Sequence, residues 1–273
     1  MKKKLIRKVM SIIIALSFLA PTMVANARTL DEIKESGTLI MGTSADYPPF
    51  EWNEMVDGKA KVVGADADIA QRIAEELGVE LKIEDMAFDS LIPALQTGKI
   101  DITLAGMTYS EERAKQVDFS EGYYVSIDKF LVLKDKVDEF KSLDDFKGLK
   151  IGVQKGTVQE KKIKDDLPEA KAVSMGKNGM LIDALKSNRV DAIFMDDIVT
   201  DEFVNENKDT IAVVPDVQFE SYDNAKSAAL TKDNKELLEA VNKVIVKLKE
   251  DGEIDEILSK NKKAAAELTK SEE

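Results

Sequence analysis

The stretch Leu91-Ile-Pro-Ala-Leu-Gln-Thr-Gly-Lys-Ile-Asp-Ile-Thr-Leu-Ala105 recurs, with changed details, as Leu181-Ile-Asp-Ala-Leu-Lys-Ser-Asn-Arg-Val-Asp-Ala-Ile-Phe-Met195. The first copy predicts a helix over residues 90–97 and a strand over residues 100–104, and the second copy predicts the same pair. Strands that alternate with helices are typical of a parallel sheet that is covered on both faces. The repeat therefore predicts an α/β chain with two similar lobes.

The residues that follow the two copies differ in chemical character. The first copy continues as Gly106-Met-Thr-Tyr-Ser-Glu-Glu-Arg113, a loop of small residues with free N–H groups and one arginine, whereas the second continues into Asp196. Guanidinium and amide donors that converge on one point favour a small carboxylate. Ligands of open α/β sheets bind beyond the carboxyl ends of the strands. The two ends together predict a cleft that suits a zwitterion.

Other segments extend the same alternation of strands and helices. A strand is predicted over residues 38–43, a hairpin around Asp57-Gly58, and a helix that Asp66 caps and Gly78 ends. A second set of strands and helices starts near residue 142 and runs to a final helix around residues 254–258. Residues 261–273 contain Lys, Ala and Glu without an apolar stripe, and we expect them to fray.

The first 27 residues have the pattern of a secretory signal peptide. Five positive residues precede an apolar stretch over residues 9–19, and Ala25-Asn-Ala27 supplies small residues before a cut at Arg28. The apolar stretch is short for a transmembrane span. Because no cysteine follows it, we expect no lipid anchor and predict a periplasmic protein.

Composition excludes several functional classes. The formal net charge is −13, and loss of the five positive residues with the signal would make it −18, so nucleic acid and anionic lipid are poor partners. Without histidine or cysteine, zinc sites and the usual nucleophile–base pairs are missing, which argues against most enzymes. We expect no metal and no cofactor. The pair Asp66 and Asp68 lacks the glycine and distal glutamate of a calcium loop. No phosphate-binding loop occurs, so an ATPase would be a separate chain.

Several longer motifs resemble one known family. They are Gly42-Thr-Ser-Ala-Asp-Tyr-Pro-Pro-Phe50, Ala105-Gly-Met-Thr-Tyr-Ser-Glu-Glu-Arg113, Val117-Asp-Phe-Ser-Glu-Gly-Tyr-Tyr124, Gly152-Val-Gln-Lys-Gly-Thr157 and Arg189-Val-Asp-Ala-Ile-Phe-Met-Asp196. Together they resemble the periplasmic polar amino-acid-binding proteins of ABC importers over residues 36–260.

The resemblance implies a type II periplasmic-binding-protein fold, with two mixed sheets flanked by helices and joined by a two-crossing hinge. Lobe 1 would comprise residues 28–124 and 226–273, and lobe 2 residues 125–225, with the return crossing near residues 224–228. It also implies a monomer that delivers an amino acid to the membrane permease of an ABC importer.

The resemblance also implies a role for each residue of the binding site. Arg113 would clamp the ligand α-carboxylate, with help from Thr108 and from the backbone N–H groups of Thr108 and Val158. Asp196 would bind the α-ammonium together with the Gly106 carbonyl and the Thr108 hydroxyl. The remaining pocket residues would surround the ligand side chain: Tyr47 and Phe88 as a sandwich, and Ser44, Gln154 and Met195 as the lining.

Ser44 decides between ligand classes in this interpretation. Family members that bind cationic side chains often have an acidic residue at that position, so we predict a neutral polar amino acid. A cationic amino acid or an opine is the alternative, with Asp46 as the candidate counter-charge. Trp52 is expected to pack in the hairpin, and Asp196 is favoured over Asp197 as the ligand carboxylate.

Two further classes of function stay open as alternatives. A dehydratase on the same scaffold would need a carboxylic acid of raised pKa in the cleft, and the matched positions offer only Asp196. The sensor half of a membrane receptor would need a membrane span or a signalling domain. A binding protein without enzymatic activity is the preferred prediction.

Overall fold

Two five-stranded sheets organise the chain in the computed structural model, which describes residues 27–56, 58–219 and 224–271. The strands are β1 (Thr38–Thr43), β2 (Asp46–Tyr47), β3 (Glu51–Val56), β4 (Lys59–Val63), β5 (Glu80–Asp85), β6 (Ile102–Thr103), β7 (Val117–Phe119), β8 (Tyr124–Val125), β9 (Asp128–Leu133), β10 (Lys150–Gln154), β11 (Lys171–Met175), β12 (Ala192–Asp196), β13 (Ile211–Val213), β14 (Ala225–Lys226) and β15 (Ala229–Thr231). The α-helices are α1 (Leu30–Ser36), α2 (Ala65–Leu77), α3 (Leu91–Gln96), α4 (Glu111–Ala114), α5 (Val158–Asp166), α6 (Asn178–Lys186), α7 (Asp197–Glu206), α8 (Lys235–Glu250) and α9 (Glu253–Ser271). Short 3₁₀ helices span Phe88–Ser90, Lys134–Glu139 and Leu143–Phe146.

The two sheets have closely related topologies. The first has the order β5-β1-β6-β15-β7 and the second β11-β10-β12-β9-β13. In each, the second strand in this order, β1 or β10, is parallel to both of its neighbours, and the remaining pairings are antiparallel. The repeated sequences form α3 with β6 and α6 with β12, and these two strands are the central strands of their sheets, next to β1 and β10. The predicted pair of mixed α/β lobes is confirmed.

The chain passes between the sheets twice. It leaves the first sheet after β7 through β8, and it returns through β14, which pairs antiparallel with β8. After the return, β15 inserts between β6 and β7 and completes the first sheet. This two-crossing hinge lies where the sequence predicted the return, near residues 224–228.

Apolar residues at regular spacing bury one face of each element. Helix α2 buries Ile69, Ile73 and Leu77 on one side, and Gly78 ends it with a φ of 73°. The core of lobe 2 is aromatic, with the Phe130 ring stacked on Phe146 at a centroid distance of 4.1 Å. One apolar cluster includes Ile69 of lobe 1 and Ile193 of lobe 2, so the packed cores of the two lobes are continuous with each other, whereas the aromatic cluster belongs to lobe 2 alone.

The bounds of one strand and one helix differ from the sequence predictions. Strand β6 is shorter than predicted, and α9 continues to Ser271 through the stretch expected to fray. Asn261 anchors this helix, because its buried side-chain amide donates to Asp68 at 2.8 Å and to the Ile257 carbonyl at 2.9 Å. Its neighbours are alanine and lysine, which favour helix without an apolar stripe.

The predicted signal peptide lies almost entirely outside the described residues, as does Asp57 of the hairpin turn. Strands β3 and β4 on either side of that turn pair antiparallel as expected. Among the residues that the structure describes, no helix combines the length and the apolar character needed to cross a bilayer.

Candidate functional site

A cavity lies between the two lobes. Strand ends and loops of both lobes and the hinge strand β14 contribute to its wall. The structure places all ten predicted site residues at this wall: Ser44, Tyr47, Phe88, Gly106, Thr108, Arg113, Gln154, Val158, Met195 and Asp196. It adds Glu51, Ala105, Thr157, Gln159, Asn178, Phe194 and Lys226.

Arg113 spans the cleft between the lobes. It lies in the short helix α4, where its backbone N–H donates to the side chain of Ser110. The guanidinium donates to the Thr108 carbonyl at 2.5 Å and, across the cleft, to the Gly156 carbonyl at 2.8 Å. It also lies 5.4 Å from the centroid of the Phe88 ring. Burial lowers the pKa of Arg113 to about 10, so the guanidinium stays charged at neutral pH.

The N-terminus of α5 lies on the lobe 2 side of the same region. Thr157 caps it, since its hydroxyl accepts a hydrogen bond from the Glu160 N–H at 3.2 Å. The first turn of a helix presents N–H groups and a partial positive charge. Val158, at the first position of α5, lines the cavity near this terminus. The arginine and the helix start are suited to one anion held between the lobes.

Asp196 ends β12 and is almost fully buried. Its carboxylate accepts from Lys226 Nζ at 2.6 Å, from Asn224 Nδ2 at 3.3 Å, and from the hydroxyls of Ser126 and Tyr47. Burial works to raise the pKa of Asp196, but the Lys226 ammonium and these hydrogen bonds hold it below its usual value. Asp196 is therefore an ionised acceptor.

A second carboxyl group faces Asp196 from the adjacent strand. Asp128 of β9 is paired with Asp196 in the sheet register, and its Oδ1 accepts from Gln159 Nε2 at 2.8 Å. Burial, and then the charge of Asp196, raise the pKa of Asp128 to about 7. The lysine and the two acids form one buried cluster at the junction of lobe 2 and the hinge.

Glu51 and Asp66 form a second pair of buried carboxyl groups. Glu51 is fully buried at the cavity wall, and neither of its oxygens accepts a hydrogen bond from a donor group. Burial, and then the nearby charge of Asp66, raise the pKa of Glu51 well above its usual value. Because two carboxylates cannot donate to each other, the pair is hydrogen-bonded only when one of them carries a proton.

Asp66 supports the loop that follows β6. Its Oδ2 accepts from the Gly106 N–H at 2.7 Å and from the Tyr123 hydroxyl at 3.0 Å. Burial raises the pKa of Asp66 to about 6 in spite of these hydrogen bonds. The prediction that Asp66 caps α2 is wrong, because Gly64 occupies the cap and the Asp66 side chain points to the loop instead.

Tyr47 and Gly106 fit closely against each other. Gly106 has a φ of 52°, and a Cβ atom there would lie 2.4 Å from Tyr47 Cε1. The Tyr47 ring in turn stacks on Phe50 at a centroid distance of 5.6 Å. In the remaining lining, the Gln154 side-chain amide is buried without an acceptor, so it is available to a polar ligand group.

The alternative residues considered in the sequence lie elsewhere. Asp46 is not at the cavity wall, and its Oδ2 accepts from the Asn178 N–H at 2.7 Å, which ties lobe 1 to α6. Trp52 is buried in the hairpin opposite Asp46, as predicted. Asp197 accepts from the N–H groups of Ile127 and Ile198, so Asp196 is the residue that faces the cavity.

Sequence reasoning missed Glu51, Asp128 and Lys226. The one available signal was Lys226, a charged residue in the otherwise small and apolar run Ala225-Lys-Ser-Ala-Ala-Leu230. Within the described ranges, no three Asp or Glu side chains are grouped so that they could hold a metal ion.

Two lobes that close over a small charged cavity define a class of solute receptors. The model of the bacterial extracellular solute-binding proteins, family 3, matches residues 39–263. The chain therefore belongs to this family, whose members bind solutes outside the cytoplasm and work with ABC transporters.

Individual relatives narrow the class to amino-acid binding. The arginine-binding extracellular protein ArtP of Bacillus subtilis is 38% identical over 83% of this chain and 87% of its own. The L-cystine-binding protein TcyJ of Escherichia coli is 32% identical over 86% of each chain. A crystal structure of an amino acid ABC transporter substrate-binding protein from Streptococcus pneumoniae, bound to L-arginine, is 42% identical. It superposes with a TM-score of 0.83 over 86% of this chain and 99% of that one. The chain is thus an amino-acid-binding protein of an ABC transporter.

Proposed function

We propose that this protein captures a cationic amino acid, arginine, between its lobes and delivers it to an ABC importer permease. The observation that carries the proposal is Glu51, a fully buried carboxyl group without a cationic partner at the cavity wall. A ligand guanidinium offers planar N–H donors that match a carboxylate in charge and geometry. Two of the relatives described above are named for arginine or hold it.

The rest of the cavity suits the amino-acid part of the ligand. Arg113 and the Val158 N–H at the start of α5 would receive the α-carboxylate. The polar cluster around Asp196 and Thr108 would receive the α-ammonium, and Tyr47 and Phe88 would enclose the side chain. Because the two lobes supply different contacts, only the closed arrangement offers all of them, and the ligand stabilises closure.

A neutral polar amino acid, the class predicted from Ser44, is the second candidate. The buried amide of Gln154 and the cystine-binding relative support it. Under this candidate, Glu51 and Asp66 would share one proton, so that the pair carries a single negative charge and needs no cation from the ligand. The arginine candidate requires Glu51 to pair with the ligand, whereas the neutral candidate requires no contact between Glu51 and a ligand cation.

Calorimetry on protein that has been unfolded and refolded to remove bound ligand separates the candidates. We expect arginine to bind one-to-one. The substitution Glu51→Gln should lower the affinity for arginine by about a hundredfold or more, because a desolvated charge pair is lost. Glu54→Gln, on the same strand and outside the cavity wall, is the matched control. Tight binding of glutamine or cystine without arginine would overturn the arginine assignment.

Arg113→Ala tests the carboxylate clamp whichever amino acid binds. Loss of one partner from a buried, hydrogen-bonded charge pair typically weakens binding by about thirtyfold or more. We expect that loss for arginine and for any other amino acid that the wild-type protein binds. An unchanged affinity would remove Arg113 from the proposed site.

We also propose that the protein binds its ligand without transforming it. Asp196 is held ionised by Lys226, so it is poorly suited to act as a general acid. The structure adds Glu51 as a buried carboxyl group of raised pKa at the wall, which makes a turnover assay on prephenate a fair test of the dehydratase alternative. We expect no turnover, and measurable product would overturn this part of the proposal.

The remaining proposals concern organisation and location. We propose lobe 1 over residues 28–124 and 226–273 and lobe 2 over residues 125–225, supported by the membership of the two sheets. A cleaved signal over residues 1–27, a periplasmic location and a monomeric state complete the proposal. Mass spectrometry of the exported protein tests the cleavage, and sedimentation tests the monomer.

A further inference from the structure

Lys226 is a fully buried lysine on the hinge strand β14. Its ammonium donates to Asp196 Oδ1 at 2.6 Å and to Thr108 Oγ1 at 2.8 Å, and it lies 3.5 Å from Asn224 Oδ1. Asp196 and the Thr108 hydroxyl are two of the acceptors that the family resemblance assigns to the ligand α-ammonium. The chain's own ammonium group therefore contacts the same oxygens.

The hydrogen-bonding capacity of Asp196 Oδ1 is filled. A carboxylate accepts about four hydrogen bonds. Oδ1 of Asp196 accepts from Lys226, Ser126 and Asn224, and Oδ2 accepts from Tyr47. A ligand ammonium can bind Oδ1 only in exchange for one of its three donors, and Lys226 is the cation among them.

The Thr108 hydroxyl is engaged in the same way. It accepts from Lys226 while donating to Asn224 Oδ1 at 2.8 Å. Thr108 also forms an isolated antiparallel bridge with Lys226 through the backbone, which fixes the lysine beside the loop. The position of the ammonium is thus set by the hinge strand and by both lobes.

The charges around Lys226 make a second ammonium group less favourable. Asp196 is its salt-bridge partner, Asp128 lies behind Asp196 in the sheet, and Arg113 contributes a further positive charge at the wall. A ligand ammonium that enters without displacing Lys226 meets a like charge at short range in a buried site. One that displaces it leaves a buried lysine without its carboxylate. Either way, the net gain from the ligand α-ammonium is small.

We propose that Lys226 determines specificity by competing with the ligand α-ammonium for Asp196. The site then depends on the α-carboxylate and the distal cation of its ligand. It accepts carboxylates that carry a distal guanidinium but lack the α-ammonium. The choice of probe rests on the proposed arginine function, whereas the competition itself does not.

The test compares arginine with 5-guanidinopentanoate, which is arginine without its α-ammonium. We expect the analogue to bind the wild-type protein less than about tenfold more weakly than arginine. In Lys226→Met the difference should exceed about a hundredfold, because Asp196 then lacks a cation. Lys232→Met is the matched control, since this lysine on the same return segment pairs with Asp118 instead. A hundredfold difference in the wild-type protein, unchanged in Lys226→Met, would overturn the proposal.

Failure of the arginine assignment remains distinguishable from failure of the competition. If arginine and its analogue do not bind but glutamine does, the proposed function is wrong, and glutamine and 4-carbamoylbutanoate replace the pair with the same expected ratios. If Lys226→Met does not fold, Lys226→Gln keeps a donor without the charge, and the wild-type ratio alone still decides.

A spectroscopic measurement tests the competition between Lys226 and the ligand α-ammonium without requiring the affinity of any variant. In ¹H–¹⁵N spectra of lysine ammonium groups, we expect one protected signal, absent in Lys226→Gln, that belongs to Lys226. Arginine should shift this signal, whereas 5-guanidinopentanoate should leave it nearly in place. A Lys226 signal that arginine does not change would show that Asp196 binds no ligand ammonium in exchange, and would overturn the proposal.

Discussion

At the scale of single residues, Gly106 shows how closely the cavity wall is packed. A methyl group there would overlap the Tyr47 ring, and the φ of 52° already disfavours a side chain. Tyr47 in turn donates to Asp196 across the cleft, so displacement of its ring would also disturb lobe 2.

We therefore expect Gly106→Ala to lower arginine affinity by about tenfold or more and to lower the melting temperature. Gly37→Ala is the control, since Gly37 has a φ of 69° but a methyl group on its Cα would meet no atom within 4 Å. It should cost about 1 kcal/mol of stability through backbone strain alone and leave affinity unchanged. Equal affinities for the two variants would contradict the close fit of Tyr47 on Gly106.

The raised pKa of Asp128 leads to a prediction about how stability depends on pH. Its folded-state pKa of about 7 exceeds the usual value of 3.8, so the neutral form favours folding. That contribution is fully present below pH 3.8 and is lost as pH rises through about 7. The groups that face Asp128 are Asp196, whose pKa lies below its usual value, the Lys226 ammonium, and the amide of Gln159, which does not titrate.

The expected result is that wild type loses stability relative to Asp128→Asn between pH 5 and pH 8, by on the order of a few kcal/mol. Urea unfolding of both proteins at several pH values measures the difference. A difference that does not change with pH would show that Asp128 has an ordinary pKa. Affinity for the cationic ligand should rise over the same range as carboxyl protons are released.

Single residues also show the limit of sequence analysis. Arg113 and Asp196 could be placed at the cleft because the repeat ends just before each loop. Glu51 could not be placed, because nothing in its local pattern marks it for burial, and Lys226 stood out only as a charged residue in a small and apolar run. Their surroundings come from segments far apart in the chain: Asp66 for Glu51, and Thr108 and Asp196 for Lys226.

At the scale of elements, the start of α5 joins stability to binding. Thr157 caps this helix and lines the cavity, whereas Thr29 caps α1 away from the cleft and forms a full capping box with Glu32. Thr157 forms no full capping box, because the Glu160 carboxylate accepts from the Gly156 N–H rather than from the Thr157 N–H.

Thr157→Ala and Thr29→Ala should each cost about 1 kcal/mol of stability. We expect only Thr157→Ala to weaken arginine binding, by about fivefold or more, because the N–H groups that face the carboxylate lose their fixed direction. Chemical unfolding and calorimetry on both variants measure the two effects. Equal loss of affinity in both would mean that the cap acts through global stability.

Elements with strong periodicity were predicted well, and weakly apolar ones were not. The regular spacing of apolar residues, which the structure buries, is sufficient to predict helix α2 and strands β1 and β10. The end of α9 was not predicted, because the side-chain amide of Asn261, rather than a stripe of apolar residues, attaches this helix to the rest of the lobe.

At the scale of the whole molecule, contacts across the cleft differ in strength. Ion pairs at its rim join Lys155 to Asp89 at 2.8 Å, Lys177 to Asp85 at 3.6 Å and Lys161 to Glu112 at 3.7 Å. Exposed pairs of this kind contribute about 0–1 kcal/mol each. Closure must therefore depend chiefly on the buried contacts and on the ligand.

We predict that arginine lowers the radius of gyration in small-angle scattering, and that Glu51→Gln does not respond at the arginine concentration that saturates wild type. Glu54→Gln should respond like wild type. Because the rim pairs are screened by salt, about 0.5 M NaCl should leave the ligand-induced change nearly intact. Loss of the change in salt would assign closure to the rim pairs.

The position of β15 has a consequence for biosynthesis. This strand lies between β6 and β7, yet it is reached only after all of lobe 2 has been traversed. The first sheet therefore cannot close until residue 231 has left the ribosome, when most of the polypeptide has already been made. A chain built in this order keeps its first half unfinished during translation. That delay would hold it in a threadable state for passage through a secretion channel.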